Sequence, residues 1–155
     1  MILEKQNLQL NNVLSLRNKM DQEQINKVLS YLNNYLNEND IERGCFITTT
    51  YSIEDIGGKQ ILDFEILCPV KKISQLPKDF IIKPIFKLTN ALKLSHYGNP
   101  QMLQDSIQQL ISYSNSKRYT PITPLYNVTV KEPGSSNVME KFQIDLYLGI
   151  TENIL

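Results

Sequence analysis

The sequence has no tryptophan, a single histidine (His96) and two cysteines (Cys45 and Cys68) among its 155 residues. A lone histidine and two cysteines without a CxxC spacing exclude the usual zinc sets, so no metal and no cofactor is expected. No apolar run approaches the roughly 18 residues of a membrane span, so no membrane partner is expected either. The opening "MILEKQNLQLNN" lacks the basic start and apolar core of a secretory signal. Two reduced, packed thiols then fit a cytoplasmic protein. No "GxSxG" elbow stands in the chain. The net charge is zero, which offers nothing to nucleic acid. Residues 1–70 carry 6 basic and 10 acidic side chains, a net of −4, and residues 71–155 carry the reverse, a net of +4. Such asymmetry can guide a partner or self-association, as monomer or homodimer.

What is present is enough for one domain, 1–155, burying roughly two-thirds of its unfolded surface. Three stretches recur in order. "VLSLRNKM" (13–20) aligns with "ALKLSHYG" (91–98) at an offset of 78. "VLSYLN" (28–33) aligns with "LISYSN" (110–115) at 82, which matches Tyr31 to Tyr113. "FEILCPV" (64–70) aligns with "IDLYLGI" (144–150) at 80. Two related halves, 8–70 and 80–150, are read from this, joined by a linker at 71–79.

Each half reads strand, helix, strand, strand. In the first, Val13, Leu14 and Leu16 mark a strand. Asp21 with Gln24 forms a capping-box pattern. Ile25, Val28, Leu29, Leu32 and Leu36 make one helical apolar face. "CFITTTYSIE", a turn at "DIGGK", and "QILDFEILCPV" give two more strands, and both cysteines fall in them. In the second half "FIIKPIFKLTNALKLSHY" is extended, with a bend or bulge at "TN". Asn99 and Pro100 open a helix whose stripe is Met102, Leu103, Ile107, Leu110 and Ile111. "PLYNVTV", a loop at "KEPGSSN" and "KFQIDLYLGI" close the chain. The expected fold class is α+β: an antiparallel sheet with two main helices on one face.

Strand alternation sorts the side chains. Phe142, Ile144, Leu146, Leu148 and Ile150 point one way, toward the helices. Gln143, Asp145 and Tyr147 point the other. In the matching strand, Leu62, Phe64, Ile66 and Cys68 face the helices, and Asp63, Glu65 and Leu67 face away. Glu65 and Asp145 therefore occupy related places on the open faces.

With these residues in place the chain resembles the GyrI-like small-molecule-binding domains, the effector-binding parts of some multidrug-responsive regulators. "SHYGNP" (95–100), "YNVTVKEPG" (126–134) and "FQIDLYLGI" (142–150) look like the motifs of that family's second half. "LDFEILCPV" (62–70) looks like its "DFEV…PV" strand. Asp145 stands where the family usually has glutamate, Thr129 where it often has tyrosine, and "RNKMD" (17–21) where it has a histidine–glycine turn. The resemblance implies an aromatic-lined groove between the halves in which a carboxylate meets lipophilic cations. It nominates Glu65 and Asp145 as acids and Tyr51 and Tyr147 as aromatics. His96 falls at the family's turn, with neither the companion ligands of a metal site nor a nucleophile nearby.

Three functions are open. The first, a non-catalytic module for a hydrophobic or cationic small molecule without a DNA-binding motif in the chain, is the reading chosen. The second is a protein-interaction role, since the chain also resembles small proteins encoded near secreted LXG-type toxins, and its asparagine, lysine and isoleucine content suits such a source. The third is a hydrolase in which a pocket carboxylate, Glu65 or Asp145, activates water, as in some members of the wider family.

Overall fold

Nineteen residues of strand open the computed structural model, which describes residues 1–131 and 142–151. Strand β1 (Ile2–Met20) leads into helix α1 (Gln22–Glu38), then β2 (Ile47–Ile56) and β3 (Lys59–Pro69). Strand β4 (Ile81–Tyr97), helix α2 (Leu103–Ser116), β5 (Thr120–Lys131) and β6 (Gln143–Thr151) follow. The architecture is mixed, with antiparallel strands and two α-helices. The expected loop "KEPGSSN" and the Glu132–Pro133 of the family motif fall mostly or wholly in 132–141, outside the described residues.

The chain divides into two compact units, 9–86 and 1–8 with 87–155, so β1 and β4 each contribute to both. In the 9–86 unit β3 lies between β1 and β2. The hairpin joining β2 to β3 turns on Gly57 and Gly58, both at positive φ, the conformation a two-residue turn demands. Leu14, Leu16, Met20, Ile66 and Cys68 of the strands pack with Ile25, Leu32 and Leu36 of α1, and Val28 and Leu29 fill in beside them. The other unit places β6 between β4 and β5. There Leu92, Leu94, Ile144, Leu146, Leu148 and Ile150 pack with Leu110 of α2. In each unit, then, the helix covers the strand face that alternation assigned to it.

The same devices recur at fixed offsets. Asn12 and Asn90, 78 apart, both adopt left-handed φ (58° and 56°) inside their strands. Each donates its side-chain amide to a carbonyl, Val70 or Ile150, at 2.9 and 3.5 Å. Arg17 faces Glu65 in one ladder and Ser95 faces Asp145 in the other, displaced by 78 and 80. Both helices end alike. Asp40 and Arg118 take the left-handed position after the helix, and Ile41 and Tyr119 donate backward to Leu36 and Ser114, as in a Schellman motif. This equivalence of helix ends is 78, so Tyr35 rather than Tyr31 corresponds to Tyr113. The 82 offset of the similar "VLSYLN" and "LISYSN" is a slip of about one helical turn, which preserves the apolar face and so misleads alignment.

Several expectations shift. Cys45 lies outside the strands, where Arg43 and Val70 form an isolated bridge. Pro69 has no N–H to return to Gly44, whose own N–H donates to the Pro69 carbonyl, so the ladder lapses there. Gly44 is needed at that point, since a Cβ would stand 2.8 Å from the Pro69 ring. Asn99 caps as expected, but the first turn, Pro100–Met102, is 3-10. Its tighter winding throws Met102 off the stripe, 51% exposed, and Ile111 sits on the flank at 40%. Among the described residues no helix is long and apolar enough to cross a membrane.

Candidate functional site

Glu65 is the residue around which a site forms. It sits mid-β3 on the face away from α1, and only 2% of it is exposed. Its neighbours come from three other strands. Ser15 of β1 donates its hydroxyl at 2.7 Å, Tyr51 of β2 its phenol at 2.6 Å, and Lys83 of β4 its ammonium at 2.5 Å. Burial pushes the Glu65 carboxyl up, but Lys83, Tyr51 and Ser15 together hold it below the ordinary value of 4.5. The buried acid is therefore ionised, and a cation already faces it.

A second cation meets the second expected site residue. The Arg17 guanidinium lies 3.5 Å from the centre of the Tyr51 ring. It is fixed there by two hydrogen bonds to Asp63, at 3.0 and 2.9 Å. These contacts raise Arg17 and hold Asp63 below the usual carboxylate range. Around them opens a cavity of about 340 Å³ lined by Ser15, Arg17, Tyr51, Glu65, Ile81 and Lys83, with Leu16 and Asp79 at its edge. Leu16 and Asp79 also line an adjoining, largely apolar cavity of about 260 Å³, with Val28, Tyr31 and Phe80 among its walls. Asp79 stands at the junction with φ 68°, a conformation an aspartate tolerates better than most residues.

The segment 71–79 is strapped to α1. The Tyr35 hydroxyl donates to the Gln75 carbonyl at 2.6 Å, and the Lys78 amide donates to the Tyr31 hydroxyl at 2.8 Å. Tyr31 thus both holds this strap and walls the apolar cavity.

Asp145 and Tyr147 belong to the other unit. They lie two apart on one face of β6, each under a tenth exposed. Asp145 accepts from Ser95 at 2.7 Å and from Gln143 at 3.0 Å. Lys93 reaches it at 3.5 Å and lies 5.6 Å from the centre of the Tyr147 ring. Burial pushes the Lys93 ammonium down, yet Tyr147 and Asp145 hold it above its ordinary value. Each expected acid is thus paired with a serine, a tyrosine lies beside each, and a lysine attends each. Lys83 and Lys93, like Ser15, Arg17 and Ser95, are residues that sequence reasoning did not assign to these sites. Neither lysine had a signal in the sequence: Lys93 stands opposite Tyr147 only through the β4–β6 register.

His96 is consumed by the turn. It is buried, and both ring nitrogens are engaged: Nε2 with the Asn99 carbonyl at 2.9 Å, Nδ1 with the Ser106 hydroxyl at 2.8 Å. A carbonyl can only accept, so Nε2 donates to Asn99, while the Ser106 hydroxyl can serve Nδ1 as donor or acceptor. Among the described residues no group of three His, Cys, Asp or Glu side chains is placed to hold a metal ion.

No protein-family model matches the chain, and the search of curated proteins finds no match. Solved structures match in fold. The EcmrR chain of an EcmrR–DNA complex superposes with a TM-score of 0.72 at 12% identity, covering 99% of this chain and 57% of that one. This chain thus spans little more than half its length. The EcmrR C-terminal domain alone gives 0.69 at 11%, covering 99% and 97%. A hydrolase from Listeria innocua gives 0.58 at 10%, covering 97% and 91%. SAV2435 bound to tetraphenylphosphonium gives 0.55 at 12%, covering 96% and 94%. At such identities the likeness is one of fold, and it supports the GyrI-like fold that the motifs implied.

Proposed function

We propose that this protein is a non-catalytic binding module for a hydrophobic small molecule bearing a positive charge, with Glu65 and Tyr51 as its recognition pair. One observation carries the reading. An ionised carboxylate, 2% exposed, shares a cavity with an aromatic ring, and each faces a cation of the chain itself. A buried acid and a ring face attract positive charge more strongly where water is thin. Three donors on Glu65 also lower its basicity, which favours binding over activation of water. That a protein of like fold, SAV2435, is bound to tetraphenylphosphonium suits the same ligand class.

Thermal unfolding with and without tetraphenylphosphonium tests this. At 100 times its dissociation constant a ligand adds roughly 2.7 kcal/mol of stability. The gain should appear in the wild type and vanish in Glu65→Gln. No gain at any soluble concentration of this or other lipophilic cations would end the reading and direct attention to a protein partner.

A further inference from the structure

We propose that Lys83 is an internal competitor for the ligand seat, and that the ligand is an amphiphilic cation which displaces it and lays an apolar body in the adjoining cavity. This rests on the binding reading above and adds the gate and the shape of the occupant. The Lys83 ammonium stands 2.5 Å from Glu65, where a ligand cation would stand. Of the two resident cations it is the one able to leave. Arg17 is tied to Asp63 by a two-bond fork and stacked on Tyr51. Lys83 sits on a flexible four-carbon stem with 38% of its side chain exposed, so its ammonium can move into water without breaking a fork.

Displacement exchanges one cation for another at Glu65 and by itself returns little. A ligand must therefore bring something that Lys83 lacks. The adjoining cavity supplies it: Val28, Tyr31 and Phe80 offer apolar surface, and Leu16 and Asp79 belong to both walls. Burying apolar area there is what makes the exchange favourable. A small, bare cation gains nothing from that surface and should leave Lys83 in place. The resident lysine thus selects against simple inorganic and methylated cations and for bulky amphiphilic ones.

Calorimetric titration of the full chain tests the exchange. Removing the competitor in Lys83→Met should tighten tetraphenylphosphonium binding roughly tenfold or more, the factor expected where the open seat is populated about a tenth of the time or less. Lys83→Gln, which keeps a donor to Glu65, should tighten it by less and guards against misfolding of the first variant. In the wild type, the Lys83 ammonium resonance, assigned by its loss in Lys83→Arg, should move to the free-lysine position as tetraphenylphosphonium is added. Tetramethylammonium should neither move it nor bind. Equal or weaker binding by both folded variants, or a Lys83 signal unmoved at saturation, overturns the displacement while leaving the binding reading standing. Tight binding of tetramethylammonium to the wild type overturns the need for an apolar body. Absence of tetraphenylphosphonium binding in wild type and variants alike overturns both readings together.

Discussion

Glu65 ties the stability of this protein to pH. Its folded carboxyl is held below its ordinary value of 4.5 against the push of burial. Stability from such a group is present in full above the unfolded value and is lost as pH falls through the lower, folded one. Glu65→Gln should therefore lose stability at pH 7 yet show a shallower further loss between about pH 5 and acid, where side-chain carboxylates titrate. Urea midpoints at a series of pH values check this. Asp21, Asp63 and Glu4 are held low as well, by Lys59, by Arg17, and by Tyr113 and Tyr119. The variant should thus soften the acid transition without abolishing it. A variant that parallels the wild type throughout would show that Glu65 has the same proton affinity folded and unfolded. Cys68 is the opposite case, a thiol pushed by burial up to about 12 and so inert at neutral pH.

At the scale of elements, helix α1 shows how a local signal becomes structure. Asp21 accepts from the Gln24 amide at 2.8 Å, and the Gln24 side chain accepts from the Asp21 amide at 3.0 Å. This is the reciprocal box that the four residues spelled in sequence. Asp21 also faces Lys59 at 2.9 Å. Asp21→Ala should cost about 1 kcal/mol, the usual worth of a cap, in chemical denaturation. Asp21→Asn should retain most of it, because an amide oxygen still accepts. Equal losses for the two would assign the effect to Lys59 and not to the cap. Elements were legible wherever a short-range rule governs them: the box, the Gly57–Gly58 turn, the alternation in β3 and β6. Their limits were less so. Strand β1 begins at Ile2, ahead of its apolar signal, because partners and not propensity sustain a strand.

At the scale of the whole chain, one apolar core holds Leu32 and Ile66 and another holds Leu110 and Leu146, with no member in common among the described residues. All four of these side chains are fully buried. Leu32→Ala and Leu146→Ala should each cost about 2–5 kcal/mol. Residues without shared neighbours contribute independently, so the double variant should lose the sum to within about 0.5 kcal/mol. Equilibrium denaturation of the four proteins measures this. A clear departure from additivity would show that the two cores respond as one.

The sequence alone determined what near neighbours decide. Caps, turns and the faces of strands and helices follow from spacing, since a residue three or four positions away on a helix, or two on a strand, shares its side by geometry. It also nominated Glu65, Tyr51, Asp145 and Tyr147, and read His96 as part of a turn, whereas the residue lies in β4 opposite Ile144 and only its ring reaches the turn. What surrounds those residues was a matter for tertiary structure. Lys83 reaches Glu65 across 18 residues of chain, and Arg17 reaches Tyr51 across 34. No local rule links such pairs, because a buried charge takes whichever partner the strand register brings within about 4 Å. The register is set by the whole pattern of pairing, so the cations that fill the site appear only once the chain is folded.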